Sequence, residues 1–215
     1  MGQRLVFKCV RGGERIATLY FHWSGYTESI YDTAVMLING LRERNYSKSM
    51  TNDEARLVLL DILEKDSVYE WTNESSGKIT ATHGGVSDGD EGPAYQAFRE
   101  LGAEPIIDGL SRNEGLIDIT EDGMNQAEWW AEALETFDFD KETFTNGEYS
   151  HTPPNEIYEP DERRPDIPVF NPNPRYWDEI RWKDAADASR WFHDLPRYEG
   201  YLGVDTDGNY ICITA

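Results

Sequence analysis

Four histidines, two cysteines and 41 carboxylates are the side chains from which this chain could build a reactive centre. His22-Trp23-Ser24 sets a histidine and a serine two residues apart. On or just after a strand that spacing puts both on one face, within reach of each other. Ordinary strand packing produces the same spacing. His83-Gly84-Gly85 resembles a loop that offers backbone N–H groups to an oxyanion, but no G-x-S-x-G elbow accompanies it. Removal of Met1 would expose Gly2, which has no nucleophilic side chain, and this weighs against an amino-terminal nucleophile.

Cofactor and metal patterns are missing as well. There is no P-loop, no G-x-G-x-x-G, no H-E-x-x-H and no C-x-x-C. His22, His83, His151 and His193 are scattered without ligand spacing, so neither a metal nor a cofactor is expected. Asp205-Thr206-Asp207-Gly208-Asn209 has the acids of a calcium loop, but its glycine comes two positions early and the closing glutamate is missing. It reads as a hairpin turn. Carboxylates together with seven tryptophans could line a glycan cleft, yet among 41 acids some pair always stands at a catalytic spacing. The expectation is a protein that is not an enzyme. A small hydrolase acting on a nucleotide or glycan is the alternative.

Periodicity supplies the elements that would position these residues. Leu5–Val10 and Ile16–Trp23 flank Gly12-Gly13 as a hairpin. Thr27 caps a helix to about Arg44 whose Ile30, Ala34, Leu37, Ile38 and Leu41 share one face. Thr51 and Glu54 have capping-box spacing for a second helix, to Asp66. Lys78–Thr82 alternates like a strand. The following residues to Gly92 hold four glycines and three acids, Asp88, Asp90 and Glu91, and read as an exposed, mobile loop. Pro93 opens a helix to Leu101. Leu116–Ile119 reads as a strand, Thr120 caps a helix to about Glu135, and Thr136–Asp140 alternates again as a short strand.

Seven of the ten prolines fall between Thr152 and Pro174, which predicts an extended arm. A helix over Asp184–Leu195 and a hairpin about Asp207-Gly208 follow. The expected class is α+β, with a mixed or antiparallel sheet and packed helices. The expected organisation is an acidic domain over residues 1–150, an arm over 151–175, and a helix and hairpin over 176–215 that pack on the main domain.

Charge is the unusual quantity. The net formal charge is −21, and residues Glu114 to Glu162 hold fifteen acids and one base, Lys141. On a helix running to Glu135, Glu121, Glu128, Glu132 and Glu135 fall within about 60° of one another, with no Lys or Arg placed to compensate. Trp129 lies off the apolar stripe, beside the acids. One reading is a solvated helix face. The other is an anionic ridge with aromatic anchors that docks on a basic groove, as a DNA mimic does. Binding to nucleic acid or to an anionic membrane is disfavoured by the charge. No signal peptide, myristoylation signal or membrane span is recognisable. Cys9 and Cys212 read as reduced, packed thiols, and the expected compartment is the cytoplasm.

Gly2-Gln3-Arg4-Leu5, the run Tyr20-Phe21-His22-Trp23-Ser24-Gly25-Tyr26-Thr27 and Arg112-Asn113-Glu114-Gly115-Leu116-Ile117 carry a resemblance. Over about the first 140 residues the chain resembles proteins encoded by phages and prophages of Gram-positive bacteria. The resemblance brings no residue roles with it. It implies a host-defence inhibitor of the anti-CRISPR kind, whose partner would be the basic surface of a host protein or ribonucleoprotein such as a Cas effector. The expected contact residues are Glu121, Glu128, Glu132, Glu135 and Trp129, with Asp88, Asp90 and Glu91 in the glycine-rich loop. A phage assembly accessory is the remaining class.

Overall fold

A computed structural model describes residues 4–25, 27–72, 79–87, 92–107, 115–145, 179–194, 203–204 and 210–211. The 152–174 arm, Asp88, Asp90, Glu91, Cys212 and the Asp207-Gly208 turn lie outside these residues. The protein is α+β. Strands β1 (Leu5–Arg11) and β2 (Glu14–Phe21) form a hairpin. Gly12 and Gly13 turn it with φ of 63° and 76°, backbone that glycine adopts without the steric cost other residues incur.

Helix α1 (Thr27–Glu43) buries the five residues its spacing predicts, each at most 2% exposed. Helix α2 (Asn52–Asp66) starts at a complete capping box. The Glu54 amide donates to the Thr51 hydroxyl, and the Thr51 amide donates to the Glu54 carboxylate.

Strands β3 (Val68–Thr72) and β4 (Ile79–His83) form a separate ribbon, followed by β5 (Gly85–Val86) and α3 (Pro93–Glu100). Next come β6 (Leu116–Asp118), α4 (Glu121–Trp130), β7 (Ala133–Asp138) and β8 (Thr143–Thr145). The described chain closes with β9 (Glu179–Arg181), α5 (Ala185–Asp194), β10 (Gly203–Val204) and β11 (Tyr210–Ile211).

Among the described residues seven strands make one mixed sheet in the order β5-β6-β2-β1-β7-β8-β9. The β1–β7 and β5–β6 pairs are parallel and the rest antiparallel. Strand β9 extends this sheet, and Ala185 and Ala188 of α5 join the same hydrophobic core as β1, β2, α1 and α2.

Alternation gives the sheet two unlike faces. Leu5, Phe7 and Cys9 meet α1 and α2 on one side, where Phe7 packs edge-on against Phe137 and Phe144, and Phe144 against Tyr31. Burial pushes the Cys9 thiol far up, leaving it protonated and inert. On the other side lie Val6, Lys8, Thr18 and Tyr20, partly covered by α4. Among the described residues no helix is long and apolar enough to cross a membrane.

Arg44, just past the end of α1, fastens it to α2 through Asp61 and Asp66. Burial pushes the Asp61 carboxyl up, but hydrogen bonds from Lys65 and Arg44 outweigh it and hold the group below its ordinary value of 3.8. A depressed carboxyl contributes stability above its unfolded pKa and loses it as the pH falls. Urea midpoints measured from about pH 5 down to pH 3 should therefore fall less steeply in Asp61→Asn than in wild type. An unchanged acid slope would remove Asp61 from the acid response.

Candidate binding site on the second face of the sheet

Helix α4 ends at Trp130, five residues earlier than its periodicity predicts. Ala131 is extended at ψ 140°, and the Glu132 and Ala133 amides both donate to the Arg4 carbonyl, which starts the parallel pairing of β7 with β1. The run Ala131–Leu134 suits either a helix or a strand, and tertiary pairing decides between them.

This dismantles the predicted ridge. Glu121 and Glu128 stay on the helix, Glu132 sits in the link, and Glu135 enters the core face of β7, fully buried, as the acceptor of the Thr145 hydroxyl. Nor are the acids uncompensated. Glu132 accepts from the Arg4 amide at 2.8 Å and pairs with its guanidinium, and Glu128 pairs with Arg15. The partners lie 128 and 113 residues away in sequence, where no helical spacing rule reaches. Of the four glutamates only Glu121 keeps an exposed carboxylate with no ion pair among the described residues. Asp122, next to it, does the same.

The glycine loop also differs from expectation. Gly84, Gly85 and Val86 are buried, with β5 at the edge of the sheet. The Gly84 amide donates to the Ser67 carbonyl and the Gly85 amide to the Gly115 carbonyl. Both N–H groups are thereby taken, leaving no oxyanion hole there. His22 does not meet Ser24 through a hydrogen bond. Its Nδ1 is 2.8 Å from the Tyr20 hydroxyl, and its ring stands edge-on to Trp23. Among the described residues no hydrogen bond joins a histidine to a serine or cysteine, so the base–nucleophile pair that the His22/Ser24 spacing offered is not formed.

A cleft of about 250 Å³ opens between α4 and the strands it crosses, lined by Tyr20, Ser87, Leu116, Asp118, Gly123, Gln126, Ala127 and Trp130. Register explains the wall, since Tyr20 pairs with Leu116 and Thr18 with Asp118. Asp118 Oδ1 accepts from the Thr120 amide and hydroxyl at 2.7 and 2.6 Å, and Oδ2 accepts from the Ser87 hydroxyl at 2.8 Å. Gly123 makes room for this carboxylate, because a Cβ there would lie 1.9 Å from Oδ2. Burial pushes the Tyr20 phenol up and Glu132 adds to this, while Arg4 opposes it, so the hydroxyl is protonated at neutral pH.

Three of the described tryptophans are well exposed: Trp129 at 81%, Trp130, which lines the cleft, at 46%, and Trp23 at 52%. Trp129 and Trp130 pack edge-to-face at 5.6 Å, and the Arg4 guanidinium lies 5.4 Å from the Trp130 ring. Trp129 is exposed where its position off the apolar stripe predicts. Sequence reasoning missed Tyr20, Ser87, Asp118 and Gln126. The one local signal was Asp118-Ile119-Thr120 followed by a glycine in the first helical turn, where glycine is otherwise costly. Comparison with protein-family models, curated proteins and solved structures gives no match.

Proposed function

We propose that this protein acts by binding, and that the outer stripe of α4 docks on a basic surface of a partner protein or ribonucleoprotein. The observation that carries this reading is Trp129. An indole so far exposed is unusual unless something covers it. Asp122 and Trp129 are seven residues apart, about two turns and about 10 Å along one face, with Asn125 and Gln126 exposed between them. The indole would supply a desolvated anchor, and Glu121 and Asp122 would steer and orient the approach.

The net charge of −21 favours a basic partner, and such surfaces are found where proteins hold nucleic acid. The resemblance to phage and prophage proteins narrows that class to a nucleic-acid-handling host defence complex, with this chain as an inhibitor of the anti-CRISPR kind in the host cytoplasm. The phosphate-mimicking part is then Glu121 and Asp122 with the anchor beside them, without the three glutamates that are paired or buried. Immobilised protein incubated with host lysate should retain a basic protein that added DNA or guide RNA displaces. Retention unaffected by nucleic acid would remove the mimic reading and leave a binding protein of another kind, such as a phage assembly accessory.

A further inference from the structure

Asp118 is 6% exposed, and among the described residues no cation pairs with it. Buried carboxylates ordinarily have a cationic partner or a metal. Among the described residues three hydrogen bonds serve it, one fewer than its roughly four acceptor sites. The N-terminal dipole of α4 offsets about half a charge. The remaining negative charge belongs to a residue that lines an open cleft.

We propose that this cleft receives one guanidinium group, the arginine side chain of a bound peptide segment. Asp118 supplies the charge. The Tyr20 hydroxyl and the Gln126 carboxamide oxygen supply further acceptors on the same walls, which suits five N–H donors spread in a plane better than one ammonium point charge. Trp130 supplies an indole, and Arg4 already lies against that ring, so the stacking mode has a precedent within the chain. Arg4 itself is neutralised by Glu132. The volume, about 250 Å³, is below the ~300–1,000 Å³ of pockets for drug-sized ligands and suits a single side chain. The inference deepens the basic-partner reading and is tested separately from it.

N-acetyl-arginine amide titrated into the full-length ¹⁵N-labelled protein should shift the Gly123 and Ala127 amides saturably, with a Kd on the order of millimolar. N-acetyl-lysine amide should bind more weakly, and neutral N-acetyl-citrulline amide should not bind. Asp118→Asn should weaken arginine binding about tenfold or more, about 1.4 kcal/mol. Trp130→Leu, at a half-exposed position, should do likewise if Asp118→Asn fails to fold. No saturable shift in folded wild type, or equal binding of the citrulline amide, overturns the proposal. No arginine binding by a wild type that still captures a basic partner would sink the cleft alone. Arginine binding in a protein that captures no basic partner would sink the docking reading alone.

Discussion

Glu135→Lys is expected to unfold the protein or bring it close to unfolding, while Glu121→Lys and Asp122→Lys leave its stability within about 0.5 kcal/mol of wild type. Glu135 lies beside Phe7 in the β1–β7 register, on the face packed by α1, and is fully buried. A lysine there would put an ammonium among Phe7, Phe137 and Phe144 and strip the Thr145 hydroxyl of its acceptor. Breaking a buried charged contact in this way costs about 3–5 kcal/mol. Total stabilities are only about 5–15 kcal/mol. Glu135→Gln keeps an acceptor oxygen of the same shape and should lose less. Urea unfolding of the four variants decides it. Equal midpoints for Glu135→Lys and Glu121→Lys would mean that Glu135 is not in the core.

Gly85→Ala is the second large effect. A Cβ on Gly85 would lie 2.1 Å from the Ile106 carbonyl oxygen, and one on Gly84 would lie 2.4 Å from that of Gly115 and 2.6 Å from that of Leu63. These are backbone atoms held in the sheet edge and at α2, and they cannot rotate aside as side chains do. Each alanine should cost about 3 kcal/mol or more and detach β5 from β6. Gly12→Ala provides the contrast. Its φ of +63° is strained for alanine, but nothing lies within 4 Å, so the cost is limited to about 1–2 kcal/mol. If Gly12→Ala proves the more damaging, the β5 edge is not packed as described.

The two glycine pairs also show what was legible in the sequence. Gly12-Gly13 between two strand-like runs announces a hairpin through purely local geometry. The α1 stripe and the Thr51–Glu54 capping box are local in the same sense, and each lies where its spacing places it. Gly84-Gly85 is different, since the reason for those glycines is backbone contributed by Leu63, Ile106 and Gly115, which no window around residue 84 contains. The end of α4 was hidden for a related reason. Ala131–Leu134 continues a helical stripe well enough, and only pairing with β1, more than 120 residues earlier, converts it to strand.

Charge was legible as a total and illegible as a surface. The fifteen acids of Glu114–Glu162 look unopposed along the chain, whereas Arg4 reaches Glu132 where β1 pairs with β7, and Arg15 reaches Glu128 because α4 packs over β2. The candidate cleft needed the same assembly. Tyr20, Ser87, Asp118 and Trp130 come from four separate segments, and nothing about any one of them marks a site.

The central claim is that α4 presents a docking stripe anchored by Trp129. Its most direct test is quantitative capture of binding partners by wild type, by Trp129→Ala, and by Trp129→Ala combined with Asp122→Lys, each verified as folded by circular dichroism. Wild type should retain a basic partner that rising salt releases, as screened exposed charges require. Trp129→Ala should lose about 2 kcal/mol of binding, roughly thirtyfold, and the double variant should retain none. A folded double variant that captures the same partner at wild-type strength would contradict the account.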